Sequence, residues 1–177
     1  YKKMVTMDFK KINNLVLVIG KTEGHIDQSL FARNILDEKN GPPPEVNLFN
    51  EKNNGETLLK LIDSGFVKSA HDVSLGGIIT AISKMCIKGN KGINLKMSKN
   101  LINEIEYFFA EDQGRYLIEI DQKDQKKVAD ILNKNAVHFD ELGTINEDQL
   151  YINDKTKVTI DELKTSNTSW LTNYMSK

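Results

Sequence analysis

Ala70-His71-Asp72-Val73-Ser74-Leu75-Gly76-Gly77 sets an imidazole, a carboxylate and a hydroxyl beside two residues without side chains, where an apolar run gives way to an amphipathic one. Such a junction can meet a phosphate. The first turn of a helix carries unpaired N–H groups and the positive end of the helix dipole, and glycine lets an anion approach the backbone closely. Ser74, Gly76 and Gly77 are therefore candidates for contact with a phosphate. A tight turn that needs only positive φ has the same composition, so the spacing leaves both readings open. His71 draws attention because it precedes Asp72 at the end of the extended run; a hydrogen bond that pins the turn is its other reading. Ser74 suits either a helix N-cap or a hydrogen bond to a ligand, and no Gly-x-Ser-x-Gly elbow or paired base supports it as a nucleophile.

A second cluster is Phe108-Phe109-Ala110-Glu111-Asp112-Gln113-Gly114-Arg115-Tyr116, in which two aromatics give way to three polar side chains, a glycine and a guanidinium. Glu111, Asp112 and Gln113 can hold hydroxyls, amides or a hydrated metal. Equally, the carboxylates can pair with Arg115 at the edge of a strand. Adjacent carboxylates are not by themselves an acid/base pair, because general catalysis needs both aimed at one atom. His25, His71 and His138 lie far apart without metal-ligand spacing, which argues against a zinc site. No residue is assigned a catalytic role.

The elements that must carry these residues follow from periodicity. Val67 to Val73 reads as a strand, and Leu75, Ile78, Ile79, Ile82, Met85 and Cys86 form the apolar stripe of a helix packed on a sheet. Cys86, the single cysteine, sits on that stripe as a small core residue and cannot form a disulfide within the chain. Leu15 to Ile19 is a continuous apolar run, as expected of a strand covered on both faces. Helix is expected through Ser29 to Leu36, from Val46 to Ile62 with Leu48, Leu58, Leu59 and Ile62 inward, from Leu101 to Phe109, and from Gln122 to Asn135 with Val128, Ile131 and Leu132 inward. Gly41-Pro42-Pro43-Pro44 makes an extended connector. Further strands are expected at Ile93 to Leu95, Arg115 to Ile120, Val137 to Ile145 and Gln149 to Ile152, with helical turns from Asp161 to Met175. Strands and helices mixed without a strict βαβ rhythm indicate an α+β fold, a mixed β-sheet layered with helices. The strands at Leu15 to Ile19, Val67 to Val73 and Arg115 to Ile120 should share one sheet, with the Leu75 to Cys86 helix covering a face.

Composition sets the class. A length of 177 residues suits one core. Its 24 basic and 25 acidic residues leave a net charge of -1 without long blocks of either sign, which gives no electrostatic case for nucleic acid. No signal-peptide pattern or bilayer-length apolar run is present, so a cytoplasmic globular domain with no membrane partner is expected. Opening on Tyr1-Lys2-Lys3 suggests a piece of a longer polypeptide.

Taken in order, Leu15-Val16-Leu17-Val18-Ile19-Gly20-Lys21-Thr22-Glu23-Gly24-His25, Gly41-Pro42-Pro43-Pro44, Ala70-His71-Asp72-Val73-Ser74 with Gly76-Gly77, and Glu111-Asp112-Gln113-Gly114-Arg115-Tyr116 resemble the phosphoribosylformylglycinamidine synthase family. Trp170-Leu171 and Tyr174-Met175 fit as well, and the likeness is to the last domain of the large synthetase subunit. The resemblance implies the C-terminal-domain fold of aminoimidazole ribonucleotide synthetase. It places residues 1–13 as a linker from a missing N-terminal ATP-binding domain, and 14–177 as one synthetase C-terminal-type domain. It implies an ATP- and Mg²⁺-dependent ligase that converts formylglycinamide ribonucleotide and glutamine to formylglycinamidine ribonucleotide in purine synthesis. The implied partners are the missing domains of the subunit, a glutaminase subunit, a small accessory subunit, and the nucleotide and ribonucleotide substrates.

By the same resemblance, Asp72 would meet the metal and Ser74 the nucleotide at a second, pseudo-symmetric site. Glu111-Asp112-Gln113 would lie where a related Glu-Ser-Gln touches substrate, with His71 beside them as an auxiliary-site candidate. Leu75 stands where the family usually has an acidic residue, and Asp27 where it commonly has glycine. The alternative reading is a noncatalytic structural module with a degenerate nucleotide site. The two are told apart by whether Ser74, Gly76 and Gly77 converge with Glu111 to Gln113 on one cleft.

Overall fold

The computed structural model describes residues 3–97 and 102–176. One mixed sheet runs through it. Its strands are β1 (Leu15–Ile19), β2 (Val67–Val73), β3 (Gly92–Leu95), β4 (Arg115–Ile120), β5 (Phe139–Asn146), β6 (Gln149–Ile152) and β7 (Thr156–Thr159). Their spatial order is β2-β4-β1-β5-β3-β6-β7, antiparallel throughout except for the β3–β6 pair. β1, β2 and β4 are neighbours, as expected. β1 is buried along its whole length because its alternate residues feed two cores: Val16 and Val18 face one side, Leu15, Leu17 and Ile19 the other.

The first of these cores is covered by α3 (Gly77–Gly89), which presents Ile78, Ala81, Ile82, Met85 and Cys86 to Val16, Val18 and Leu117. Fully burying each large side chain there contributes about 1.5–3 kcal/mol. Leu75 is not part of the stripe: it precedes the helix and is 61% exposed. On the opposite face lie α2 (Leu48–Asp63) and α5 (Gln125–Lys134), which is entered through a 3-10 turn at Gln122–Asp124. Of the inward side expected for α2, Leu58 is buried and Ile62 packs on the core, whereas Leu48 and Leu59 point outward, 74% and 61% exposed. The residues that turn inward instead are Asn54, Thr57, Leu58 and Leu61. Polar residues face in along the first half of α2, and its apolar inward stripe begins only at Leu58.

Shorter helices complete the frame. α1 (Leu30–Asn34) is capped by Ser29, whose Oγ accepts from the Ala32 amide; α4 (Glu104–Phe109) opens on an Asn103–Glu106 capping box. Leu101, at the expected start of α4, lies outside the described residues. α6 (Ile160–Met175) opens on a second capping box, from Thr159 and Glu162, and leaves Trp170, Leu171, Tyr174 and Met175 exposed.

Before β1 the chain already packs on the domain. Thr6 bridges Ser69 in parallel and Phe9 is 1% exposed in the α3-side core. Glu119, fully buried on β4, accepts from the amides of Lys10 and Lys11, from Asn14 Nδ2 and from Ser69 Oγ at 2.8–3.0 Å. Four donors satisfy a carboxylate that would be costly to bury alone. Of the segment expected to be a linker, Phe9 is buried in the α3-side core and Val5 and Met7 pack partly buried against the two cores.

Candidate functional site

At the β2–α3 junction both glycines have left-handed backbones, with φ of +80° at Gly76 and +68° at Gly77. Gly76 is the N-cap of α3, so Ser74 does not fill that role; its carbonyl accepts from the Gly77 amide at 3.0 Å. A Cβ on Gly77 would come within 2.6 Å of the Phe108 and Ala110 carbonyl oxygens, so packing against the end of α4 by itself demands glycine there. The Gly76 amide is already occupied. It donates to Glu111 Oε1 at 2.8 Å, and the same oxygen accepts from the Leu30 amide at 2.8 Å.

His71 and Asp72 engage each other, Nδ1 to Oδ1, at 2.9 Å. Desolvation opposes ionisation of Asp72, but hydrogen bonds from His71, its own backbone and Ser74 outweigh it and hold the carboxyl below its ordinary value. His71 Nε2 is buried without a partner among the described residues. No group of three or more His, Cys, Asp and Glu side chains there can hold a metal. Asp72 alone supplies one ligand, which is not a magnesium shell.

Asp112 turns inward. It is 6% exposed, and its two oxygens accept from the amides of Glu23, Gly24 and His25 at 3.1–3.2 Å. Arg115, 1% exposed, donates to the Asp112 and Ala110 carbonyls and to Thr22 Oγ1, with its Nη1 3.7 Å from Asp112 Oδ2. Of the two readings of this cluster, pairing with Arg115 describes Asp112. Glu111 is committed to Gly76 and Leu30. Gln113 is exposed.

Gln113 and the edge of Asp112 line a cleft of about 540 Å³ at the end of β1. Its other walls are the first two turns of α2, through Asn47, Asn50, Glu51 and Asn54, with Lys21 and His138. His71, Asp72, Ser74, Gly76, Gly77 and Glu111 do not line it. The nominated residues therefore divide between a turn sealed by Glu111 and an open cleft. A second hollow, of about 410 Å³, lies over the β5-β3-β6 part of the sheet between Asn94, Glu141, Thr144 and Tyr151. The α2 contribution was missed in the sequence, although Asn47, Asn50 and Asn54 recur on one helical face.

A seven-stranded mixed sheet with helices on both faces, and a strand-to-helix glycine turn beside a buried arginine, define an α+β domain. The chain belongs to the AIR synthase related protein, C-terminal domain family, whose sequence model matches residues 11–155. It is 70% identical over 99% of its length to phosphoribosylformylglycinamidine synthase subunit PurL of Pelagibacter ubique, and spans 24% of that relative, about a quarter. Among solved structures, T. maritima PurL complexed with FGAR matches 92% of the chain with a TM-score of 0.76 at 20% identity, over 29% of that structure's chain. T. maritima PurL complexed with ATP matches 92% with a TM-score of 0.70 at 17% identity, over 27% of its chain. At those identities the structures speak for the fold.

Proposed function

We propose that this chain is the C-terminal domain of an ATP-dependent ligase that makes formylglycinamidine ribonucleotide. The observation that carries this reading is the 70% identity to subunit PurL of Pelagibacter ubique across nearly the whole chain. In the reaction, ATP activates the amide oxygen of formylglycinamide ribonucleotide and ammonia, released from glutamine by water, displaces it. Formylglycinamidine ribonucleotide, ADP, phosphate and glutamate result. The working partners on this reading are the other domains of the subunit, a glutaminase subunit and a small accessory subunit, acting in the cytoplasm. ATP and Mg²⁺ are its cofactors. Asp72, hydrogen-bonded by His71, its own backbone and Ser74, would supply one ligand; the remaining metal ligands would come from those other domains, and no step is assigned to this chain's residues through the metal.

Toward a nucleotide, Asp72 and Ser74 would form one wall beside Gly76 and Gly77, with His71 behind Asp72. Glu111, Asp112 and Gln113 would stand on the substrate side, of which Gln113 has an exposed side chain whose Nε2 donates to the Glu111 carbonyl at 3.4 Å. A second reading, a structural module with a degenerate nucleotide site, is favoured by one specific observation: Glu111 Oε1 occupies the amides that an incoming phosphate would need.

Replacing the matching quarter of the Pelagibacter ubique subunit with this chain tests the first reading. The hybrid is expected to form formylglycinamidine ribonucleotide from ammonia, ATP and substrate, and a subunit lacking that quarter is not. An inactive but folded hybrid overturns it. Calorimetric titration of ADP with Mg²⁺ into the hybrid separates the two readings: weaker binding by Asp72→Asn supports a working nucleotide site, and equal binding supports the structural module.

A further inference from the structure

Half of α6 stands clear of the domain. Its start is anchored: Ile160 is buried, Leu163 packs on the α3-side core and Lys164 donates to Asn90 Oδ1. From Thr165 to Ser176 every residue is exposed except the half-buried Ser169, and each side-chain hydrogen bond of that stretch among the described residues runs back to the helix's own carbonyls. Thr165-Ser166-Asn167-Thr168-Ser169 is a run of weak helix formers. A helix of this composition draws its stability from packing of an apolar face rather than from propensity.

Such a face is present. Trp170, Leu171, Tyr174 and Met175 recur at i, i+1, i+4 and i+5, are 58–75% exposed, and stack the Trp170 and Tyr174 rings at 5.5 Å. No residue from Thr165 to Ser176 is charged, in a chain of which 28% is. Surface helices carry charge on their open face, whereas the centre of an interface is depleted of charge and enriched in Trp, Tyr and Met. Two aromatic side chains of about 150–250 Å² each and two aliphatic ones, all partly shielded already, fall short of the about 800 Å² per partner that a stable dimer buries. A tethered occupant needs less, because the connection itself sets a high effective concentration. α6 lies beyond residue 155, where the family's sequence model ends, yet within the region shared with the Pelagibacter ubique subunit. That region is 24% of the subunit, so about three quarters of the polypeptide lies outside it.

We propose that the Trp170–Met175 stripe of α6 is a docking face within the subunit, seated in an uncharged apolar groove on the remaining domains of the same polypeptide, with acceptors at the groove's rim for the Trp170 indole N–H and the Tyr174 hydroxyl. The inference rests on the reading of this chain as part of a synthetase subunit. Trp170, Tyr174 and Met175 are oxidisable side chains, and the tryptic peptide Thr165–Lys177 carries all three, so hydroxyl-radical footprinting reads the exposure of the stripe. The comparison is between this chain alone and the hybrid in which it replaces the matching quarter of the Pelagibacter ubique subunit. Oxidation of the peptide is expected to fall about fivefold or more in the hybrid, at every protein concentration, as Trp170 passes from 67% exposed to fully desolvated. Equal oxidation in chain and hybrid overturns the proposal. So does protection that grows with concentration in either protein, which makes the occupant a second copy. Trp170→Ser touches no core contact and should leave the urea midpoint of the chain alone unchanged while lowering that of the hybrid; an unchanged hybrid midpoint also overturns the proposal. Turnover of the same hybrid keeps the two readings apart: an active hybrid with an oxidised stripe defeats this proposal alone, and an inactive, folded hybrid with a protected stripe defeats the ligase reading alone.

Discussion

The β2–α3 turn and the α2 cleft are opposites. The turn carries the most conspicuous pattern in the sequence, His-Asp-Val-Ser followed by two glycines, and the structure fills it from within through Glu111 and packs Gly77 on α4. Nothing conspicuous marks the cleft, yet it is open and lined largely by polar side chains. A glycine required for close packing and one required for close approach of a ligand look alike in sequence, because both report only that a Cβ is forbidden. Beyond the recurrence of Asn47, Asn50 and Asn54 on one face of α2, a cleft assembled from residues 20–25, 45–54, 112–113 and 138 has no spacing to report.

The sharpest way to break this contrast is Gly77→Val. Positive φ and a clash with two backbone carbonyls act together, so the chain should lose about 3 kcal/mol or more in urea unfolding. A loss below about 1 kcal/mol would mean that the turn relaxes easily and that packing is not why glycine stands there.

Next in size is Glu111→Ala. It strips the Leu30 and Gly76 amides of their shared acceptor, at a cost of about 1–3 kcal/mol, and hydrogen exchange at those two amides should speed up. Glu111→Gln keeps one acceptor oxygen and should cost less. Unchanged exchange in the alanine variant would show that the turn is not held by this carboxylate.

Much of the frame was legible because it is written in apolar periodicity. The Leu15 to Ile19 run became the buried centre of the sheet, and the stripe from Ile78 to Cys86 became the face of α3. β7 was not anticipated: Thr156-Lys157-Val158-Thr159 lies at the sheet's edge, pairs only with β6 and carries little apolar signal. Asp112 and Arg115 were left between ligand contact and mutual pairing, and only the three-dimensional meeting of Asp112 with the Glu23, Gly24 and His25 amides decides it. α2 misleads more deeply. Leu48 and Leu59 follow a helical apolar pattern, yet they face away from the core while Asn54 and Thr57 face in, because the first half of the helix flanks a cleft. Leu48→Ser should accordingly change stability by less than about 0.5 kcal/mol, whereas Leu58→Ala, ten residues on and 8% exposed, should cost about 2–5 kcal/mol. Similar losses from the two would return α2 to an ordinary amphipathic helix.

The smallest expected effect concerns acid. Hydrogen bonds from His71, its own backbone and Ser74 outweigh desolvation and hold the Asp72 carboxyl below its usual value of 3.8. A carboxyl depressed by folding contributes stability that is fully present above its unfolded-state value and is lost as pH falls through the lower folded-state value. The wild type should therefore lose more stability than Asp72→Asn as pH falls below 3.8, while both respond alike between pH 5 and 7 as far as this group is concerned. The Asp72 side chain is 62% exposed, so solvent screening keeps the difference below about 1 kcal/mol. Urea midpoints for the two proteins measured from pH 5 down to pH 3 provide the comparison. Curves that stay parallel to pH 3 would show that Asp72 is not anchored to the turn by His71 and Ser74, and the turn would then have a free carboxylate to offer a ligand after all.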